Sequence, residues 1–377
     1  MKIVCDNKIP FLRGALEPYA DVVYLPGAET DAEVVKDADG IITRTRTRCD
    51  ASLLEGSSVK AIATATIGFD HIDTAWCEAN GIAWSNAPGC NSWSVKQYIS
   101  SVLAVLAQRH GLRLDTLTLG VVGVGNVGSK VAEVGRAFGM RVLLNDPPRA
   151  RAEGQGAFTD LDTLLSKSDI VTLHVPLTRA GEDATWHLID AARLARMRAS
   201  QILINSSRGP VVDNAALKDA LKRHALKGGV LDVWEGEPDL DRELIELLDI
   251  TTPHIAGYSA DGKANGTTMS VRYLASQLDL PLTDWNASGI PAPEQALEFG
   301  IDAAGKTAQE VLSEAVLHTY DVRRDSDALR AAPSDFERLR GDYWVRREPS
   351  AFTLTLRGGS PDLASRLERI GFKVIVK

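Results

Sequence analysis

A parallel α/β architecture is the fold class that this chain predicts. Short apolar runs of strand length alternate with helix-length segments as far as residue 280. A glycine-rich turn joins one such strand to the helix after it, and Pro281, Pro291 and Pro293 then end the alternation before a shorter last part. A strand that feeds a helix and returns beside the first strand makes a parallel sheet covered by helices, so each alternating stretch reads as a layered domain.

The first stretch reads as strands at 2–4, 21–25, 40–43, 61–66 and 82–85, with helices at 11–19, 31–38, 51–55 and 73–80. Ser94 to Arg109 carries apolar residues at helical spacing and is expected to lead into the second domain. Strands follow there at 118–122, 141–145, 169–175, 201–205, 229–233 and 250–252, with helices at 161–166, 191–197 and 214–224. Ser259 to Leu280 reads as a helix returning to the first domain. The expected division is therefore 1–93 with 258–280 as one discontinuous domain, 94–257 inserted in it, and 281–377 as a small α+β domain. Near its end, Ala351–Leu356 reads as a strand, Ser360 as an N-cap, and Pro361 as the first helical residue. Leu363, Leu367 and Ile370 form an apolar stripe, Gly371 stops the helix, and Phe372–Val376 is a last strand. This part has no evident catalytic cluster, and its expected role is to join two copies as a homodimer.

The glycine-rich turn is the most specific motif. Gly123-Val124-Gly125-Asn126-Val127-Gly128 follows the strand at 118–122, and the next strand ends on Asp146. Gly123 permits a tight turn, Gly125 lets backbone N–H groups approach a pyrophosphate, and Gly128 lets the helix pack closely on the sheet. A carboxylate at Asp146 accepts from ribose hydroxyls and repels a 2′-phosphate, which favours NAD over NADP although Arg149 and Arg151 follow closely. The fold expected is thus two Rossmann-like parallel-sheet domains, the inserted one holding NAD, plus the small C-terminal domain.

Composition narrows the function classes. With 377 residues the chain exceeds one ordinary core, and its 44% hydrophobic content is that of a globular protein. No apolar run is long enough to span a bilayer, and the chain starts directly on a strand rather than a signal peptide, so a cytoplasmic location is expected. Cys5, Cys49, Cys77 and Cys90 have no metal-ligand spacing and read as free or buried thiols; no metal is expected. A net charge of −8 argues against non-specific nucleic-acid binding, and an anionic substrate then needs local arginines.

Three strands of the inserted domain run into reactive loops: Asn205-Ser206-Ser207-Arg208-Gly209, Asp232-Val233-Trp234-Glu235-Gly236-Glu237-Pro238 and Thr252-Pro253-His254-Ile255-Ala256-Gly257-Tyr258. Ligands of open α/β sheets bind beyond the carboxyl ends of strands, so all three can face one site. His254 can remove a hydroxyl proton, Glu237 can orient and stabilise the imidazole, and Arg208 can clamp a carboxylate and polarise a carbonyl. That set suits hydride transfer from a hydroxy acid.

Together with Leu173-His174-Val175-Pro176-Leu177-Thr178 and Gly68-Phe69-Asp70-His71-Ile72-Asp73, these loops and the glycine turn resemble the D-isomer-specific 2-hydroxyacid dehydrogenases. The resemblance implies Arg208, Glu237 and His254 as the catalytic set and Asp232 as holder of the nicotinamide carboxamide. It implies that Asn126, Val127, Val175, Ser206 and Gly257 touch NAD largely through backbone, with Ser207 beside them. Lys2–Asn7, Thr64–Gly68, Ala87–Asn91, His254–Ser259, Tyr320–Asp325 and Arg346-Arg347-Glu348 resemble a subgroup that oxidises a phosphorylated four-carbon hydroxy acid in vitamin B6 synthesis and dimerises through its C-terminal domain. Lys96-Gln97 departs from the Ala-Glu common in the wider family.

Gly40-Ile41-Ile42-Thr43-Arg44-Thr45-Arg46-Thr47-Arg48 is the expected phosphate segment. If the strand continues, alternation puts Arg44, Arg46 and Arg48 on one side. Arg44 and Arg46 are the expected phosphate ligands, with Thr45, Thr66 and Tyr258 as polar contacts and Arg346 or Arg347 of a second copy as further donors. A phosphoglycerate dehydrogenase shares every catalytic residue and is the alternative enzyme. An NAD-sensing corepressor is the alternative binding protein, disfavoured by the absence of a basic tail.

Overall fold

All 377 residues are described by the computed structural model. Residues 1–91 with 259–291 form one unit, and 92–258 with 292–377 form another.

In the first unit β1 (Lys2–Asp6), β2 (Asp21–Leu25), β3 (Gly40–Thr43), β4 (Ala61–Thr64) and β5 (Ala83–Ser85) make a parallel sheet in the order β2-β1-β3-β4-β5. Successive side chains of a strand face opposite ways, and here both faces are covered. Ile3, Cys5 and Ile42 pack with Val271, Leu274 and Ala275 of the helix Ala260–Gln277, while Val4, Ile41 and Ile62 pack with Val35, Leu53, Leu54 and Cys77. Burial on two faces is why these strands read as unbroken apolar runs. The four cysteines form no disulfide and are buried.

The helix expected at 11–19 does not form. Leu12 and Leu16 are fully buried at helical spacing, yet the segment is a series of turns. Phe11 and Gly14 have φ of 62° and 86°, outside the helical region. The Glu17 carboxylate also accepts the N–H groups of Gly14 and Leu16, which a helix would direct to carbonyls.

The second unit has a six-stranded parallel sheet: β6 (Thr118–Val122), β7 (Arg141–Asn145), β8 (Ile170–Leu173), β9 (Ile202–Asn205), β10 (Gly228–Leu231) and β11 (Ile250–Thr251), in the order β11-β10-β9-β8-β6-β7. Its register sets Asn145, Val122, Leu173, Asn205, Leu231 and Thr251 in one row, so every following segment leaves along the same edge. The chain order reverses between β6 and β8, the switch point where open parallel sheets leave a crevice.

The tail adds β12 (Glu298–Asp302), β13 (Thr353–Arg357) and β14 (Lys373–Val376), a parallel sheet in that order. Its end is a β-α-β unit: the Ser360 hydroxyl accepts the Leu363 N–H at 3.1 Å, Pro361 opens the helix, and Gly371, with φ of 125°, closes it. Beyond the expected elements, the tail has β12 and the helices Ala308–Thr319, Val322–Ala331 and Phe336–Gly341.

The helix Ser92–His110 carries polar residues that are buried because they bind this tail. Lys96 Nζ donates to Glu133 at 2.8 Å and to the Arg369 carbonyl at 2.5 Å. Gln97 Nε2 donates to the Arg347 carbonyl at 2.9 Å, the Ser94 hydroxyl to Glu348 at 2.9 Å, and the Val322 N–H to Ser101 at 3.0 Å. The departure at Lys96-Gln97 from the commoner Ala-Glu is thus a tail-binding feature. Lys96 is 1% exposed; burial lowers its pKa, and the Glu133 carboxylate works against that. Lys96→Ala strands the Arg369 carbonyl and should cost about 2–4 kcal/mol, read from the midpoint of urea unfolding. Glu133→Gln, at the half-exposed end of the pair, should cost less than about 1 kcal/mol.

Candidate active site

The glycine turn begins the common edge of the six-stranded sheet. A Cβ on Gly123 would lie 2.5 Å from the His174 carbonyl oxygen, and one on Gly128 would lie 1.8 Å from that of Gly123, so packing alone demands both glycines. At Gly125 a Cβ would meet nothing of the protein within 4 Å. The space beside this backbone is open, as close approach of a pyrophosphate would need. Gly125 and Asn126 are exposed at the tip, Val127 is half-buried, and the helix Gly128–Ala137 starts there with its free N–H groups. The buried Ser206 hydroxyl and His174 Nδ1 have no partner in the protein. Desolvation takes His174 down to about 3, which keeps its ring neutral. Val175 is half-buried beside Gly123.

Asp146 is the N-cap of the helix Pro147–Glu153. Its carboxylate accepts the Arg149 N–H at 3.1 Å and the Val124 N–H at 2.8 Å, which ties it to the glycine turn. The two nearby arginines are engaged: Arg149 makes a bidentate pair with Glu153, and Arg151 pairs with Asp183 and Glu182. Neither is free for a 2′-phosphate, so the donors present fit NAD. Asp146→Ala should raise the NADP/NAD ratio of kcat/KM at least tenfold and, through the lost cap, cost about 1 kcal/mol of stability; steady-state kinetics and thermal unfolding read the two effects.

Beyond β9 the Asn205 side chain shapes the arginine loop. Its Oδ1 accepts the N–H and hydroxyl of Ser207 at 3.1 and 2.8 Å, and its Nδ2 donates to the Arg208 carbonyl at 2.9 Å. A Cβ on Gly209 would lie 2.0 Å from the Trp234 oxygen, so this loop passes directly against the next one. The half-buried Arg208 guanidinium donates to the Ser207 carbonyl at 2.8 Å.

Glu237, beyond β10, and His254, beyond β11, meet at 2.9 Å between Oε2 and Nδ1. Glu237 Oε1 accepts the Trp234 N–H at 2.9 Å. Burial would raise the Glu237 carboxyl, but the hydrogen bond and charge of His254, the Trp234 N–H and the field of Arg340 outweigh it and hold the pKa below the ordinary value. An ionised carboxylate only accepts hydrogen bonds, so Nδ1 carries the proton and Nε2 is left as the basic atom.

Asp232 is 1% exposed. Its carboxylate accepts the Thr252 hydroxyl at 2.7 Å, the Ile255 N–H at 2.8 Å and the Ala256 N–H at 3.0 Å. Burial raises its pKa, opposed by His254 and these donors. What the structure gives Asp232 is the anchoring of the histidine loop; sequence reasoning, which sent it to the nicotinamide, missed this. Gly257 follows that loop half-buried.

The expected phosphate ligands lie in the first unit, apart from Tyr258 in the second. The strand does not continue past Thr43, so the alternation that would align Arg44, Arg46 and Arg48 is replaced by a turn. Arg44 Nη1 donates to the Lys8 carbonyl at 3.2 Å, Thr45 and Arg46 are exposed, and Arg48 pairs with Asp50 at 2.6 Å. Thr66 donates to the Gly68 carbonyl at 2.9 Å and shares a hydrogen bond with Thr64. Tyr258 accepts from Arg340 at 3.0 Å. Arg346 is fully buried within its own chain, which removes it as a donor to a second copy. Ligand atoms of His187, Asp213 and Glu235 lie within 4.8 Å of one another. Hydrogen bonds account for that group, since Asp213 caps the helix Asn214–Lys222 while Glu235 accepts from Asn214 and pairs with His187.

Residues 94–256 match the family model described as D-isomer specific 2-hydroxyacid dehydrogenase, NAD binding domain. Residues 293–371 match a domain of unknown function, DUF3410. The erythronate-4-phosphate dehydrogenase of Bacteroides fragilis is 50% identical over 94% of this chain and 99% of its own. That of Proteus mirabilis is 42% identical over 100% of both. Among solved structures, D-lactate dehydrogenase from Aquifex aeolicus, complexed with NAD and lactic acid, superposes with a TM-score of 0.61 at 29% identity, covering 78% of this chain and 100% of that one.

Proposed function

We propose that this chain, which belongs to the D-isomer-specific 2-hydroxyacid dehydrogenase family, oxidises 4-phospho-D-erythronate to 3-hydroxy-2-oxo-4-phosphobutanoate with NAD, a step of pyridoxine biosynthesis. The observation that carries the reading is the Glu237–His254 pair at 2.9 Å, set on the strand edge that also bears the glycine turn and Arg208. NAD, when bound, accepts the hydride from C2 of the hydroxy acid. His254 Nε2 takes the proton of the C2 hydroxyl, and Glu237 holds Nδ1–H and stabilises the imidazolium that forms. The Arg208 fork pairs with the substrate carboxylate and polarises the forming carbonyl. Gly123, Gly125 and Gly128 would hold the pyrophosphate, Asp146 the ribose and Asp232 the nicotinamide carboxamide, with Asn126, Val127, Val175, Ser206, Ser207 and Gly257 as further residues that would touch NAD, largely through backbone.

A phosphorylated four-carbon acid has charge at both ends, so its phosphate needs cations other than Arg208. Arg44 and Arg46, with Thr45, Thr66 and Tyr258, are assigned to it. The domain division proposed is 1–93 with 258–280, 94–257, and 281–377. The chain works as a homodimer through its last part, where the edge strand β14 leaves Ile375 and Val376 47% and 53% exposed. No helix is long and apolar enough to cross a membrane, and a cytoplasmic location accords with the substrate.

His254→Ala should leave NAD affinity intact and lower kcat about 10²–10⁴-fold, the range of proton-transfer catalysis. Glu237→Gln should lower it less and alter its pH dependence, because an uncharged amide cannot stabilise the imidazolium; near-normal turnover without His254 would remove it from the mechanism. NADH formation from phosphoerythronate should exceed that from phosphoglycerate. Arg44→Ala or Arg46→Ala should raise KM for phosphoerythronate about tenfold or more and scarcely alter it for an unphosphorylated 2-hydroxy acid. Equal losses on both acids would place the phosphate elsewhere.

A further inference from the structure

We propose that Arg346, a fully buried cation of the C-terminal tail, is a positioning residue for the histidine loop, holding His254 in reactive geometry through the Ala256 carbonyl. This rests on the reading of His254 as the base.

His254 has φ of 56°, in the left-handed region that a residue with a side chain occupies only when its surroundings over-determine it. On the amino side the constraints are plain: the His254 N–H donates to the Asp232 carbonyl at 2.7 Å, and the next two N–H groups go to the Asp232 carboxylate. On the carboxyl side the loop enters Gly257, which adds freedom. The turn bond from the Tyr258 N–H to the Ile255 carbonyl at 2.9 Å acts there, and Arg346 Nη2 donates to the Ala256 carbonyl at 2.6 Å. Ala256 is thereby gripped on both sides, by a buried carboxylate at its N–H and a buried guanidinium at its C=O.

The guanidinium is itself held in place. It lies 4.4 Å from the Tyr320 ring centroid and donates to the Tyr343 hydroxyl at 3.3 Å. That hydroxyl donates to Asp325 at 2.7 Å, and Asp325 also accepts the Tyr320 hydroxyl at 2.8 Å and Trp344 Nε1 at 3.0 Å. A buried charge of this kind gives little net stability over an apolar filling. What it supplies is a donor fixed in direction, and its one backbone carbonyl partner lies two residues from His254. Arg340 adds a second tie from the same tail, donating to the Tyr258 hydroxyl at 3.0 Å while its charge acts on Glu237.

The test is Arg346→Met in the full-length protein, alongside Arg346→Lys and His254→Ala, with NAD affinity, kcat, KM and the pH profile of kcat measured for each. Arg346→Met should bind NAD within about threefold of the parent and keep KM. Its kcat should fall on the order of 10²-fold, the effect of an ångström-scale misplacement, with an altered acidic limb, and Arg346→Lys should recover part of the loss. Should Arg346→Met fail to fold, Tyr343→Phe, which keeps the ring and removes the hydroxyl joining Asp325 to Arg346, should still lower kcat several-fold at unchanged KM. A folded Arg346→Met with normal kcat, a normal kcat in Tyr343→Phe where it is the deciding variant, or a kcat loss matched by an equal loss of NAD affinity would overturn the proposal. An active His254→Ala would instead overturn the reading on which it rests.

Discussion

A carboxylate buried away from water, Asp232, is the constraint on which the second unit turns. Such a group costs several kcal/mol unless donors are supplied, and here they come from three residues of one following segment: the Thr252 hydroxyl and the Ile255 and Ala256 N–H groups. The Thr252 hydroxyl also shares a hydrogen bond with the Tyr98 hydroxyl of the helix Ser92–His110, and the Thr252 carbonyl accepts Trp234 Nε1. One buried charge therefore fixes the end of β10, the end of β11 and the central helix together. The loops carrying Glu237 and His254 inherit their separation from that arrangement, since both begin within a few residues of it. Its cost in desolvation is thus tied to the placement of the Glu237 and His254 side chains.

The parts legible in the sequence are those whose physics is local. The glycine turn needs three residues within six positions, each with its own steric reason, and two of those reasons are visible as impossible Cβ contacts at Gly123 and Gly128. The β-α-β end was legible for the same reason: Ser360, Pro361 and Gly371 act on backbone within one helix. The Glu237–His254 pair spans seventeen positions and was reached through strand order, because adjacent parallel strands deliver their loops side by side. Local spacing also misled. Leu12 and Leu16 have helical periodicity, but left-handed backbone at Phe11 and Gly14 and the Glu17 carboxylate make turns that bury the same two side chains.

What stayed illegible is polar and distant in sequence. Lys96, Gln97, Asp325, Arg346 and Glu348 are buried, yet each residue type is ordinarily found at the surface, and nothing near them in the chain marks them as interior. Their partners lie far away: Ser94 meets Glu348 across 254 positions, and Arg346 meets Ala256 across 90. Periodicity carries no signal over such spans. The departure at Lys96-Gln97 was the available clue, since a lysine and a glutamine buried in a helix need polar partners, and the tail supplies the Arg369 and Arg347 carbonyls.

The segment expected to bind phosphate is the opposite case: its composition was legible and its backbone was not. Alternation places side chains on one face only while the strand lasts, and β3 ends at Thr43. A turn then sends Arg44 to the Lys8 carbonyl and leaves Arg46 exposed, while Arg48 is taken by Asp50. Arg44 and Arg46 have no carboxylate partner in the first unit, whereas Arg48 has Asp50. Pairing, rather than strand facing, therefore distinguishes the three arginines. A cation already paired with a carboxylate has less to gain from a phosphate than one without such a partner.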